Sequence, residues 1–131
     1  MGWTKGTLRI SSEVLSVVEI EEALALTPTH SVEKGSKASM RNPASMTRQA
    51  SVWMFESGLA EGVPVEDHVE YLLEIAEQHA DQLRLLRSNS KIDLFLGLSA
   101  ENGQGGFHLG NGLLGRLAAL GIDLTLDLYE G

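Results

Sequence analysis

His108 is the histidine whose setting invites chemistry. In GGFHL, alternation turns Phe107 and Leu109 inward and His108 outward, toward the face on which Asp93 and Asp127 are expected. An imidazole between two carboxylates can hold a divalent cation or act as a general base, so a hydrolase-like reaction is what this trio would run. The plainer reading is a surface histidine among aspartates that keep a sheet wetted, and no pocket is visible in the sequence to favour the first. His68 and His79 share one predicted helix but would sit about 16 Å apart at its rise per residue, too far to share a metal. They read as a solvated helix flank, and His30 as a loop residue. No GxSxG, HExxH or EF-hand pattern occurs, so no catalytic residue, metal or cofactor is assigned.

Two further groups have binding chemistry. Lys34, Lys37, Arg41 and Arg48 fall between His30 and Val52 with a single acid, Glu33, and form a candidate anion or small-molecule site. The glycine-rich ENGQGGFHLGNG at 101–112 invites a phosphate-cradle reading. A dinucleotide fingerprint needs a glycine where His108 stands, and a P-loop needs a Lys followed by Ser or Thr. Glycines also serve hairpins whose residues take positive φ, and the turn reading is the better one: 101–106 joins two antiparallel strands. Gly110 and Gly112 would then loosen the start of the last helix, with Asn111 as its N-cap.

Charge narrows the partners. The formal net charge of −8 repels phosphate backbones, so nucleic acid is not the expected partner. Outside the basic segment the balance is −11, one basic stretch on an acidic body. The chain has no cysteine, which removes disulfides and thiolate chemistry. No run approaches the roughly 18 apolar residues of a membrane span. A cytoplasmic protein without a membrane partner is expected.

The elements that position these residues follow from periodicity. KGTLRISS alternates Leu8 and Ile10 with polar residues, as a half-buried strand does. Ser16 and Glu19 make a capping box at the start of a helix over about 17–26, which Pro28 stops. Residues 27–49 show neither period and read as a long polar basic loop, with room for a short strand near Val32. ASVWMFES is a strand with Val52 and Met54 on one face and Trp53 and Phe55 on the other. Pro64 opens the longest helix, with an apolar stripe from Val65 through Val69, Leu72, Leu73, Ala76, Ala80 and Leu83 to Leu86. KIDLFLGLS and IDLTLDLYE alternate Leu with polar residues, a pattern of sheets with one open face. The expectation is a single α+β domain over 1–131, a two-layer sandwich with a mixed or antiparallel sheet and helices on one face. It is ferredoxin-like, in the order β-α-(β)-β-α-β-β-α-β.

LRISS, IEEALALTPTHSVEKG, SVWMF, KIDLFLGLSAENGQGGFHL and LLGRLAALGIDLTLDLY follow one another in an order that resembles the bacterial domain of unknown function 4279 family. The resemblance spans nearly the whole chain, and its closing portion is the most specific. It implies the architecture and carries over no catalytic residue.

By alternation the open face should show Arg9, Trp53, Phe55, Asp93, Phe95, Asp127 and Tyr129, aromatics mixed with charges. Trp, Tyr and Arg bury large area while keeping a polar handle, so this face is the candidate interaction surface. The expected role is a non-catalytic binding module using this face and the basic loop, with a protein partner or a second copy as occupant. An immunity-like role against a basic toxin is one form of it. The competing reading folds 27–49 across the face and makes Trp53 and Phe55 a second, minor core.

Overall fold

The computed structural model describes residues 2–37, 47–100 and 107–130. Alternation in β1 (Thr4–Ser12) places the core: Leu8 and Ile10 are buried, while Lys5, Thr7, Arg9 and Ser11 between them keep solvent contact. Antiparallel pairing with β3 (Ser51–Glu56) sets Ile10 beside Trp53 and Leu8 beside Phe55. On its other side β1 pairs antiparallel with β4 (Lys91–Ala100), where Ile10 meets Ile92 and Leu8 meets Leu94. Paired residues share a face, so one continuous apolar surface forms across three strands. The short β2 (His30–Val32) and β5 (Asp123–Glu130) complete the sheet in the order β2-β3-β1-β4-β5.

Helices cover that apolar surface. In α1 (Val17–Leu24) the Ser16 hydroxyl accepts the Glu19 amide at 3.1 Å and the Glu19 carboxylate accepts the Ser16 amide at 3.0 Å. The capping box is formed as its spacing predicts, and Ala25, in the left-handed region, ends the helix. The apolar stripe of α2 (Val65–Gln78) and α3 (Ala80–Leu86) buries Val65, Val69, Leu72, Leu73, Ala76, Leu83 and Leu86 in the same core as Leu8, Ile10, Trp53 and Leu94. The expected long helix is broken at His79, whose ψ of 27° leaves the helical region. The stripe survives the break.

The fold is α+β, and the described residues form a five-stranded mixed sheet with four helices. Its last third departs from expectation. Phe107–Gly110 form no strand: Phe107 and Leu109 pack on the core as coil, and the chain enters α4 (Asn111–Leu120) through Gly110, which takes the cap position expected of Asn111. β4 and β5 are therefore joined by a helical crossover and run parallel. The expected hairpin residues 101–106 lie outside the described residues. The order is β-α-β-β-α-α-β-α-β, one strand fewer and one helix more than the expected ferredoxin-like series. The short strand expected near Val32 is β2, and the polar segment at 27–49 also holds a bridge between Lys37 and Thr47.

The register corrects two face assignments. Trp53 and Phe55 do not look out of the open face. Trp53 is fully buried under the helices, its indole N–H donates to the Leu26 carbonyl at 3.2 Å, and Phe55 stacks beside it. Val52 and Met54 take the outward positions, opposite Ser11 and Arg9. Trp53→Ala should therefore cost about 3–5 kcal/mol of stability, the range for emptying a large aromatic from a core. Met54→Ala, on the half-exposed face, should cost clearly less. Urea unfolding of the two variants checks the assignment, and an equal loss would contradict it.

Candidate functional site

The face opposite the helices carries the organised polar chemistry. At its centre the Arg9 guanidinium lies 4.3 Å from the Phe95 ring centroid. Arg9 Nε donates to Asp93 Oδ1 at 2.9 Å, and a second arm meets Oδ2. The Thr125 hydroxyl donates to the same Oδ2 at 2.7 Å, so Asp93 is shared by three strands. The carboxylate raises the Arg9 pKa further above its already high value, chiefly through the hydrogen bond. With the two side chains 32% and 19% exposed, water still screens this bidentate pair, which adds geometric order as well as a modest stabilisation.

One end of the face is aromatic. Trp3 extends the β1–β4 ladder, its carbonyl accepting the Ser99 amide at 3.0 Å while its own amide donates to Ser99 Oγ at 3.0 Å. Its ring sits 5.0 Å from Tyr129 and under the Lys5 ammonium. Gly97 makes room for it, since a Cβ there would stand 3.3 Å from the indole. The Tyr129 hydroxyl donates to Asp127, and that bond raises the phenol pKa. The register thus places Arg9, Asp93, Phe95, Asp127 and Tyr129 together, and Trp3 joins them unanticipated. Its signal was ladder continuation: a residue one step before a strand that opens at Thr4.

The other candidates disperse. The His108 amide donates to Glu66 at the start of α2, at 3.3 Å, on the helix side of the sheet. Asp93 and Asp127 lie on the other side, so the proposed trio is not assembled. In the basic segment, Lys34 donates to the Glu13 carbonyl, and Glu33 accepts the Val17 amide at the start of α1. Residues 35, 36 and 48 exchange backbone hydrogen bonds. Arg41 lies outside the described residues. Two clefts flank Lys91. One, about 470 Å³, is lined by Ser11, Arg87, Ser88, Asn89 and Ser90 among others, and the second, about 330 Å³, by Arg9, Asp93, Asp123 and Thr125. No group of three or more His, Asp or Glu side chains able to hold a metal occurs among the described residues.

His68 corrects its expected place on a solvated flank. It is 1% exposed, wedged where α2 comes so close to β1 that a Cβ at Gly6 would stand 2.7 Å from its own. Thr4 Oγ1 lies 2.6 Å from the Val63 carbonyl and 3.0 Å from His68 Nε2. With its single proton given to the carbonyl, Thr4 accepts from Nε2–H, and Nδ1 then accepts the Ser57 hydroxyl at 2.6 Å. The neutral imidazole is thus satisfied at both nitrogens, joining β1, the segment after β3 and α2. Neither the spacing of Thr4, Ser57 and His68 nor their types announces this, because the partners are far apart in sequence.

A family model described as a domain of unknown function, number 4279, matches residues 4–131. Neither a curated protein nor a solved structure matches the chain. No helix among the described residues is long and apolar enough to cross a membrane.

Burial lowers the His68 pKa from its ordinary value, against a smaller upward pull from Asp67. The unfolded chain therefore takes up the proton at a higher pH than the folded one, so stability is fully present above about pH 6.5 and falls as acid is added below it. The thermal midpoint of the wild type should drop between neutral pH and the folded-state value. His68→Gln should start less stable and show a flatter profile over that window. Identical slopes for the two proteins would contradict the buried neutral imidazole.

Proposed function

We propose that this chain, which belongs to the domain of unknown function 4279 family, is a non-catalytic interaction module whose open sheet face docks a protein partner. The observation that carries the reading is the prearranged face itself. Trp3 against Tyr129 and Arg9 between Phe95 and Asp93 are fixed before any partner arrives, and no helix among the described residues packs over them. Side chains already ordered lose less entropy on association, and Trp, Tyr and Arg are the residues on which interface energy concentrates. The charge of −8 favours a basic protein, including a toxin held by an immunity-like inhibitor in the cytoplasm. A second copy, paired isologously, is the competing occupant.

A photo-cross-linking residue in place of Phe95 should capture the partner in the cells of origin, and sedimentation of the purified chain reports self-association. With the captured protein in hand, Tyr129→Ala and Arg9→Ala should each weaken binding about tenfold or more, roughly 1.4 kcal/mol. Their urea midpoints should move much less. A strict monomer that yields no cross-link from Phe95 would remove the reading.

Small-anion binding is a second reading, supported by the 470 Å³ cleft rather than by the basic quartet Lys34, Lys37, Arg41 and Arg48. Among the described residues Arg87 and Lys91 form no ion pair and the buried Ser90 hydroxyl has no hydrogen-bond partner. Buried hydroxyls without partners are few in folded proteins. Inorganic phosphate should raise the thermal midpoint progressively with concentration, and Arg87→Ala with Lys91→Ala should abolish the rise. No shift with phosphate or simple carboxylates would end this reading.

A further inference from the structure

Among the described residues β5 is the last strand of the sheet, paired with β4 on one side only. Proteins usually blunt such an edge with Lys, Pro, a bulge or brevity. The opposite edge is blunted by brevity, since β2 has three residues. β5 has eight, DLTLDLYE, with no Lys, Pro or Gly. Its two rows of side chains differ. On the helix side, Leu126 is 44% and Leu128 71% exposed, although Leu96 and Leu98 beside them in β4 are buried. On the open side stand Asp123, Thr125, Asp127 and Tyr129.

We infer that β5 accepts an extended segment of a protein partner as a sixth strand, one whose side chains alternate apolar and basic. The inference rests on the interaction-module reading and specifies the partner's chemistry. Backbone pairing supplies the free donors and acceptors of the edge with partners, and alternation supplies the selection. Every second side chain of the incoming strand covers Leu126 and Leu128, and those between stand beside Asp123 and Asp127. Opposite charges across neighbouring strands stabilise the pair and like charges oppose it. A second copy is disfavoured for the same reason, because self-pairing lays one acidic row along another.

The test uses the full chain and three labelled synthetic peptides: alternating Leu and Lys, alternating Leu and Glu, and the Leu-Lys composition arranged in blocks. Fluorescence anisotropy should show the alternating Leu-Lys peptide binding roughly tenfold or more tighter than either control, with new hydrogen-exchange protection on β5 amides. Asp123→Lys with Asp127→Lys should transfer the preference to the Leu-Glu peptide. Equal binding of alternating and blocked Leu-Lys peptides, protection elsewhere than β5, a dimer through β5 in the absence of peptide, or no binding at all would each overturn the inference. If Phe95 cross-links to a partner while the peptides leave β5 unprotected, the edge proposal fails and the face reading stands. If Phe95 captures nothing and peptide binding survives Arg9→Ala, the edge acts alone and the face reading fails.

Discussion

The pairing of β1 with β3 and β4 is the constraint on which everything else depends. Because side chains alternate with a period of two, the match of Ile10 to Trp53 and Ile92 fixes which half of every central residue goes under the helices. A slip of one residue would bring Arg9 and Asp93 into the core and put Trp53 in water. Burying Trp53, Leu8, Ile10 and Leu94 removes enough apolar area to make that alternative costly, at about 25 cal/mol per Å². The organised polar face is the other side of the same choice, since residues that cannot be buried are left to pair with one another.

Two local devices hold α2 in place, one against the sheet and one against α4. At Gly6 the missing side chain lets α2 approach, and His68, Thr4 and Ser57 fill the contact with a closed set of hydrogen bonds. Closure matters more than number there, because a buried polar group left unpaired costs about as much as several paired ones contribute. On the outside, Arg116 reaches from α4 to Glu70 and Glu77 of α2 at 2.6 and 2.7 Å. Both carboxylates are substantially exposed, so this bridge orients α4 more than it stabilises the fold. A Ser beside a His resembles a nucleophile with its base, yet the Ser57–His68 pair sits at a packing contact and is accounted for by it.

Much of this was legible in the sequence, and the failures have physical causes. The capping box at Ser16 and the Leu rows of β4 and β5 are local patterns, and local patterns survive folding. The placement of Trp53 was not legible: SVWMFE alternates apolar residues on both faces, so periodicity separates Val52 and Met54 from Trp53 and Phe55 without saying which pair is inside. Only the register with Ile10 decides it. The strand expected around His108 failed because GGFHL has the right alternation but uses Phe107 and Leu109 to cap the core as coil. Once that strand is gone, β4 and β5 need a crossover and run parallel. Trp3 and the partners of His68 depend on contacts between residues distant in sequence, which no window of neighbours contains.

Burial along β5 links these points. Ile122 is buried where α4 delivers the chain, and Leu124 packs partly on the core, but the helices do not extend over Leu126 and Leu128. The same row of leucines therefore does two jobs along one strand, core at its start and exposed surface at its end. Asp123 and Asp127 stand on the opposite face of the same strand, and charged side chains along a sheet edge oppose its pairing with a copy of itself. An apolar row without such charges would pair with any extended chain, including its own. The proposed selection by charge at this edge rests on the same alternation that built the sheet.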